Sequence, residues 1–502
     1  MVSRKKWRAR FTETPRKLRV AVLGMALATI LVPTFLSWYD YSVWELILAM
    51  VLLDVCFYAT FRYVARKEIG LPIMPVLCIA FAVQYAIPIF TQEAKIDLVN
   101  EVLYIEKGAV VAALVLSILG VVVLQLTYYL VRGAKMTMAI PSVKLRLSET
   151  RAEIFCIAVF FISLFASRIQ SMLSEETALQ FSAIFNLAQN QLLVAIAILA
   201  WLVYSVGKRR RHTAMLYSLV AFAALRGFST TMLEMVILPL AVLFIGKWTF
   251  TKRLPVGSLV AIAAAFLFFT PVKMEIRRVA LEEAQTRQSS SSTSRAMDWV
   301  AQASEFWGET LSGRRSLTES TTSASSRTDL VHQFAYIREM TPSVIPYEYG
   351  SDYYYFLVAL IPRAIWPNKP VATESAVRFE IEYGLTTEEG SKNSTFGPTL
   401  IGEGYMNFGV IGSLMVMALQ GAILSLLEHV FARKSPGGIC VFLALFVFLL
   451  NGLGSSLAVI FGGILQALIS GCLLLWLFSG QFKRSIVPKS TIALPISKRF
   501  IT

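Results

Sequence analysis

Charge is scarce in this chain. Only 16% of its 502 residues are Asp, Glu, Lys or Arg, and mean hydropathy is +0.62. Soluble domains carry about 25% charged residues, so a water-soluble globular fold is excluded. Aspartate is scarcer still. The six aspartates, Asp40, Asp54, Asp97, Asp298, Asp329 and Asp352, lie far apart, so no DxD motif is available to hold a metal with a nucleotide-sugar diphosphate. His212, His332 and His429 fall in separate segments, which speaks against a histidine-rich metal site. Cys56, Cys78, Cys156, Cys440 and Cys472 sit in separate apolar runs with no CxxC pair. Disulfide and zinc roles therefore fail, and a role as small buried apolar side chains remains. A GxxxxGK[ST] phosphate loop is also absent, which speaks against a kinase or an ATP-driven pump.

Apolar sequence is abundant, at 56% of residues. A membrane-spanning helix needs roughly 20 mainly apolar residues. Candidates fall near 19–38, 43–61, 72–90, 108–131, 152–167, 182–206, 213–225, 231–248, 255–272, 398–428, 438–452 and 456–478. The expected fold is an all-α polytopic membrane protein of about twelve transmembrane helices. Its net charge of +15 follows topology rather than a nucleic-acid surface: with a cytoplasmic start, alternating loops put 30 of the 47 Lys and Arg inside. The expected organisation is a basic cytoplasmic N-terminus (1–18), nine helices (19–272), a large periplasmic loop (273–397), three more helices (398–478) and a basic cytoplasmic tail (479–502). The run from Val20 to Trp38 is too long for a cleavable signal and reads as a retained first span.

A loop of that size is where function concentrates. Two Ser/Thr-rich tracts in it, 285–298 and 314–329, read as mobile segments. Trp299, Ala303, Phe306 and Trp307 recur at helical spacing, which predicts an amphipathic helix on the membrane surface. Leu330, Phe334 and Ile337 mark one face of a further helix, and His332, Tyr336 and Glu339 mark another. That helix either packs on the membrane domain or lines a site. Residues 353–366 are too short to span and predict a re-entrant or interfacial helix.

Arg277, Arg278, His332, Arg338, Arg363, Lys369, Glu374, Arg378, Glu380, Glu382 and Glu403 concentrate at this outer face. Arginine suits bidentate recognition of a diphosphate. Arg363 interrupts an apolar helix ahead of Trp366, Pro367, Lys369 and Pro370. An ionisable group at that depth is costly and marks either function or a snorkelling helix end. Arg226 closes a short span at the same boundary. Glu403, among glycines in "STFGPTLIGEGYMNFGVIG", is either a carboxylate raised toward general-base range by burial or a structural hydrogen-bond partner.

The segments "IPYEYGSDYYYFLVALIPRAIWPNKP" and "STFGPTLIGEGYMNFGVIG" resemble the bacterial Wzy-type O-antigen and exopolysaccharide polymerases. The resemblance implies a GT-C-like fold in the inner membrane with both termini cytoplasmic. It implies a substrate of undecaprenyl-diphosphate-linked oligosaccharide, held among membrane lipid, and metal-independent glycosyl transfer without a cofactor. A chain-length regulator and a flippase of the same pathway are the implied partners. It supports Arg363, Trp366, Lys369, Glu403, Tyr405 and Asn407 as site residues. Arg226, Arg277, Arg278, His332 and Arg378 enter as substrate contacts on charge and position, and Glu380 as an alternative base. An O-antigen ligase and a lipid-linked oligosaccharide flippase are the competing expectations.

Overall fold

The computed structural model describes residues 40–476 apart from internal segments, the longest being 66–69, 174–181, 286–291, 317–328, 362–365, 392–396 and 461–467. The expected first span at 19–38 and the tail 479–502 lie outside the described residues, as do parts of 456–478, chiefly 461–467.

The chain is predominantly helical. It runs through α1 (Val43–Ala65), α2 (Ile73–Phe81), a two-stranded antiparallel hairpin β1 (Lys95–Asp97) and β2 (Val102–Tyr104), α3 (Lys107–Gly133), α4 (Glu149–Gln170) and α5 (Ser182–Trp201). Next come α6 (Arg210–Ser229), α7 (Leu233–Thr251), α8 (Val256–Phe269), α9 (Lys273–Gln285) and α10 (Ser292–Leu311). The last described elements are α11 (Val331–Met340), α12 (Tyr353–Ala359), α13 (Glu374–Glu382), α14 (Leu400–Leu427) and α15 (Pro436–Asn451). Among the described residues, five apolar runs, α1, α3, α4, α7 and Leu400–Ala432, are long enough to cross a membrane. Several multi-turn helices of this length and hydropathy are compatible with a membrane protein.

Burial explains their arrangement. Residues 191–200 of α5 and 440–447 of α15 are buried all round, as expected of helices at the centre of a bundle. On α3, Val115, Leu119, Val122, Leu126 and Leu130 are exposed while Val110, Ala113, Leu114, Val121 and Leu124 are buried. One side therefore packs on protein and the other presents apolar side chains outward. The expected helix at 72–90 is not continuous: α2 passes through a π-helical turn, Ala82–Ala86, into a short turn, Pro88–Thr91. Pro88 lacks the N–H that a regular helix would use.

Two expectations are corrected in the large loop. The helix carrying Trp299 does not lie on a bare membrane surface. Trp299 is fully buried, its ring 6.0 Å from Phe269 and 5.8 Å from Phe228, and the Trp307 indole donates to the Phe268 carbonyl at 3.1 Å. The apolar face of α10 is thus satisfied by the ends of α6 and α8, and α10 already begins at Ser292, inside the first Ser/Thr-rich tract. Of the apolar stretch 353–366, residues Tyr353–Ala359 form the helix α12, and much of the remainder lies outside the described residues.

The largest correction concerns 398–428, expected as one span. Within α14, Phe408 (φ −142°, ψ 23°) and Gly409 (φ 62°, ψ −146°) leave helical geometry. Ser413 Oγ donates to the Ile401 carbonyl at 2.8 Å, although twelve residues of straight helix would separate them by roughly 18 Å. Residues 400–407 therefore fold back against residues 410–427. Gly404 and Gly412 form the crossing, each backbone occupying the place of the other's side chain. Gly409 supplies the left-handed φ that an L side chain resists, and a Cβ there would also meet Tyr347 Oη at 3.0 Å.

Gly412→Ala drives a methyl into the Gly404 carbonyl and should lower Tm in detergent by the equivalent of about 1–3 kcal/mol. Gly257→Ala, whose methyl meets nothing within 4 Å, is the matched control and should not lower Tm, the helical position gaining at most about 1 kcal/mol.

Candidate functional site

The fold-back sets a short, buried helix turn among the loop elements. Thr399, at φ 67°, opens it, and its Oγ1 accepts from Gly402 N at 3.1 Å. Glu403 follows, only 1% exposed. Its Oε2 accepts from Leu457 N at 2.6 Å, where residues 457–460 begin a helix. A helix N-terminus offers unsatisfied N–H groups and positive potential to a carboxylate. The second oxygen, Oε1, is buried with no hydrogen-bond partner among the described residues. An unpartnered acceptor in such a place costs roughly 1–3 kcal/mol, and a ligand hydroxyl would satisfy it.

Asn407 is fully buried and fixes the neighbouring loop. Its Nδ2 donates to the Glu403 carbonyl at 2.9 Å, and its Oδ1 accepts from Gly350 N at 2.7 Å. Gly350 belongs to "YEYGSDYYY", residues 347–355, which interleave tyrosines with Glu348 and Asp352. Tyr347 lies 6.4 Å from Tyr405 between ring centroids, Phe334 packs edge-on to Tyr405 at 6.1 Å, and Tyr353 faces Phe408 at 6.3 Å. These rings form an aromatic wall beside Glu403.

Asp352 is 4% exposed and within electrostatic range of Glu403. Burial, reinforced by the nearby Glu348 carboxylate and opposed by Arg378, pushes its acid dissociation up to about 6. It therefore changes charge close to neutrality, as general acids and bases do.

The cations of the sequence analysis are dispersed. Arg363 lies outside the described residues. Arg378 does not offer a free fork: Nη2 donates to both Glu348 oxygens at 2.8 and 2.9 Å, and Nε to Glu382 Oε1 at 2.7 Å. Those carboxylates hold its dissociation above the ordinary range, the Glu382 hydrogen bond first. Lys369 Nζ donates to the Val358 and Ile361 carbonyls at 3.1 and 2.6 Å, capping the end of α12 as a basic group at a helix C-terminus does. Trp366 is 37% exposed. Arg226 donates to Ser163 Oγ on α4 at 3.0 Å instead of joining the cluster. On α9, Arg278 pairs with Glu275 at 2.6 Å on the exposed surface, and Arg277 is half-buried. Glu380 is fully buried. His332 is buried among Tyr41 and Asp329.

Among the described residues, the guanidinium beside the aromatic wall is that of Arg338. Its Cζ stands 5.3 Å from the Tyr405 ring centroid, Nη1 donates to the Ala109 carbonyl at a long 3.4 Å, and Nε is buried without a hydrogen-bond partner. Among the described residues it has no carboxylate partner. Arg338 belongs to the outer cation group of the sequence, where nothing in the pattern gives it a role. Asp352, Glu348 and Tyr347 carry a different sequence signal, the density of five tyrosines and two acids in nine residues.

Residues 123–482 match the family described as "Domain of unknown function (DUF8712)". The match spans more than two thirds of the chain, which therefore belongs to that family. No curated protein and no solved structure matches the chain.

Asp352→Asn removes a buried charge. The folded-state acid is the weaker one, so the native state holds more protons than the unfolded chain between about pH 4 and 6 and wild-type stability falls as pH rises through that window. The variant should therefore be the more stable protein at pH 7, by up to about 3 kcal/mol, and the gain in Tm should vanish near pH 4. A gain that persists unchanged at pH 4 would show that the charge is not its origin.

Proposed function

We propose that this member of the DUF8712 family is a membrane glycan polymerase. It transfers a growing oligosaccharide from one undecaprenyl diphosphate to a sugar hydroxyl on another lipid-linked unit, at the periplasmic face of a bacterial inner membrane. The observation that carries the reading is the juxtaposition of Glu403 Oε1, Asp352 and a tyrosine wall with a guanidinium that has no carboxylate partner. Carboxylates and aromatic rings suit sugar hydroxyls and sugar faces, and a guanidinium suits a diphosphate. The site lies at the end of the bundle where α1 and α3 begin, away from the Arg132–Glu428 pair at the other end of α3. Under the positive-inside rule that end faces the periplasm. The twelve-span, GT-C-like architecture belongs to the same reading.

Charge grows on the leaving diphosphate in the transition state. Arg338, with Arg363 on the resemblance, stabilises it, Lys369 being spent on the end of α12, and Glu403 takes the proton of the attacking hydroxyl with Asp352 beside it. The carboxylates that hold Arg378 make it a support for the tyrosine loop. One observation favours a second reading. Discontinuous helices recur in transporters, and the broken α14 fits a flippase for lipid-linked oligosaccharide.

Deletion separates the readings. Loss of a polymerase leaves single repeat units on the final acceptor, loss of a ligase leaves polymer on the lipid carrier, and loss of a flippase leaves substrate in the cytoplasmic leaflet. Arg338→Ala and Glu403→Gln should each cut polymer formation by about 10²–10³, or roughly 3–4 kcal/mol, at normal protein level. A normal ladder of long chains from either variant removes that residue from the mechanism.

A further inference from the structure

A second set of reactive side chains lies on the other side of α11. Phe334 and Ile337 face Tyr405 and Gly402. His332 projects from the opposite helical face, two residues before Phe334 and five before Ile337. It is 1% exposed. Asp329 approaches it from the preceding turn, with Oδ2 2.6 Å from His332 Nδ1 and Oδ1 accepting from the His332 backbone N–H at 3.2 Å. The other ring nitrogen, Nε2, lies 2.7 Å from the hydroxyl of Tyr41, which comes from the segment before α1. The Tyr41 and His332 rings are nearly parallel, with centroids 6.1 Å apart. Tyr41 is half-exposed, and its hydroxyl also lies 3.0 Å from the Gln92 carbonyl.

Donor and acceptor accounting gives this chain a direction. An ionised carboxylate only accepts, so Asp329 fixes the proton of a neutral imidazole on Nδ1 and turns the Nε2 lone pair toward Tyr41. The tyrosine proton then points at Nε2. If that proton transfers, the imidazolium donates from both nitrogens, and a Tyr41 hydroxyl reprotonated from outside turns its hydrogen to Gln92. Nε2 and the Gln92 carbonyl compete for the single Tyr41 proton: it points at Nε2 in the neutral state and at Gln92 when the imidazolium donates to Tyr41, with the heavy atoms where they are. The two states differ by one proton held beside the Asp329 carboxylate.

We propose that Asp329, His332 and Tyr41 form a proton relay that activates the Tyr41 hydroxyl toward a hydroxyl-bearing ligand, making a second proton-accepting site separate from Glu403. In the step, the ligand O–H proton passes to Tyr41 Oη while the Tyr41 proton passes to His332 Nε2. The products are an oxyanion-like ligand oxygen and an imidazolium balanced by Asp329. The arrangement of nucleophile, base and orienting carboxylate follows the general logic of catalytic triads. Close to Tyr41 in sequence stand Glu45, buried and accepting from Ser42 N, and Asp40, paired with Lys107 at 3.0 Å on the surface; Glu93, next to Gln92, pairs with Lys95 at 2.9 Å. A ligand class with a hydroxyl to activate on each side of α11 is a saccharide, and in this respect the inference rests on the polymerase reading.

Full-length protein in lipid nanodiscs, treated with an arylsulfonyl fluoride and mapped by mass spectrometry, reads the relay directly. Tyr41 should label faster than Tyr104 and Tyr349, which are 67% and 75% exposed, and His332→Gln and Asp329→Asn should each lose that preference. Labelling of Tyr41 no faster than of those two, or a preference unchanged in both variants, overturns the relay. In cells, Tyr41→Phe keeps the ring on His332 and should lower long-chain polymer by about 10²-fold or more. Undiminished polymer at normal protein level overturns its catalytic use. If deletion of the whole gene leaves the polymer intact, the polymerase reading fails separately, and the labelling result still decides the relay.

Discussion

The contact between Gly404 and Gly412 governs the rest of the site. Two helix limbs can approach backbone to backbone only where neither carries a side chain, and Gly409 supplies the left-handed turn that joins them. Without that reversal, residues 400–427 would be one apolar helix, and Glu403 would sit on its surface. With it, Glu403 is carried to the first N–H of the helix beginning at Leu457, and Asn407 is carried to the backbone of the tyrosine-rich loop. Thr399, strained at φ 67°, is held by the same packing.

Around this anchor, ionic groups divide into those satisfied by protein and those left with capacity. Arg378 is clasped by Glu348 and Glu382, Lys369 by the end of α12, and Glu428 by Tyr128 and Arg132 at the far end of the bundle. Each such group spends its donors or acceptors on holding elements together. Glu403 Oε1 and Arg338 Nε are buried without such partners, and buried polar atoms of that kind call for an explanation in a ligand or a proton. The same accounting marks His332 differently. Its hydrogen bonds are complete, and its interest lies in having two complete arrangements that differ by a proton.

Much of the helical framework was legible in the sequence because apolar length and the spacing of apolar residues are local properties. Segments near 43–61, 108–131, 152–167 and 231–248 match α1, α3, α4 and α7 within a few residues. The motif around Glu403 was visible as a carboxylate among glycines. Its break was not, because glycines serve equally in a straight packed helix and in a reversal, and only the partner backbone distinguishes them. The amphipathic pattern of Trp299, Ala303 and Phe306 was likewise correct as a pattern. The surface it meets is protein, contributed by α6 and α8.

The sequence by itself determined a scarcely charged, helix-rich chain whose apolar runs suit a membrane, and it concentrated cations and carboxylates in one long loop. Those properties are sums and periodicities over neighbouring residues. Tertiary structure alone decided which ionic groups are spent on one another and which are not. Arg378 lies 30 residues from Glu348, Leu457 lies 54 residues from Glu403, and His332 lies 291 residues from Tyr41. A charge is a candidate for chemistry only after its partners are known. Those partners are brought together by packing across the chain, over separations at which no local pattern survives.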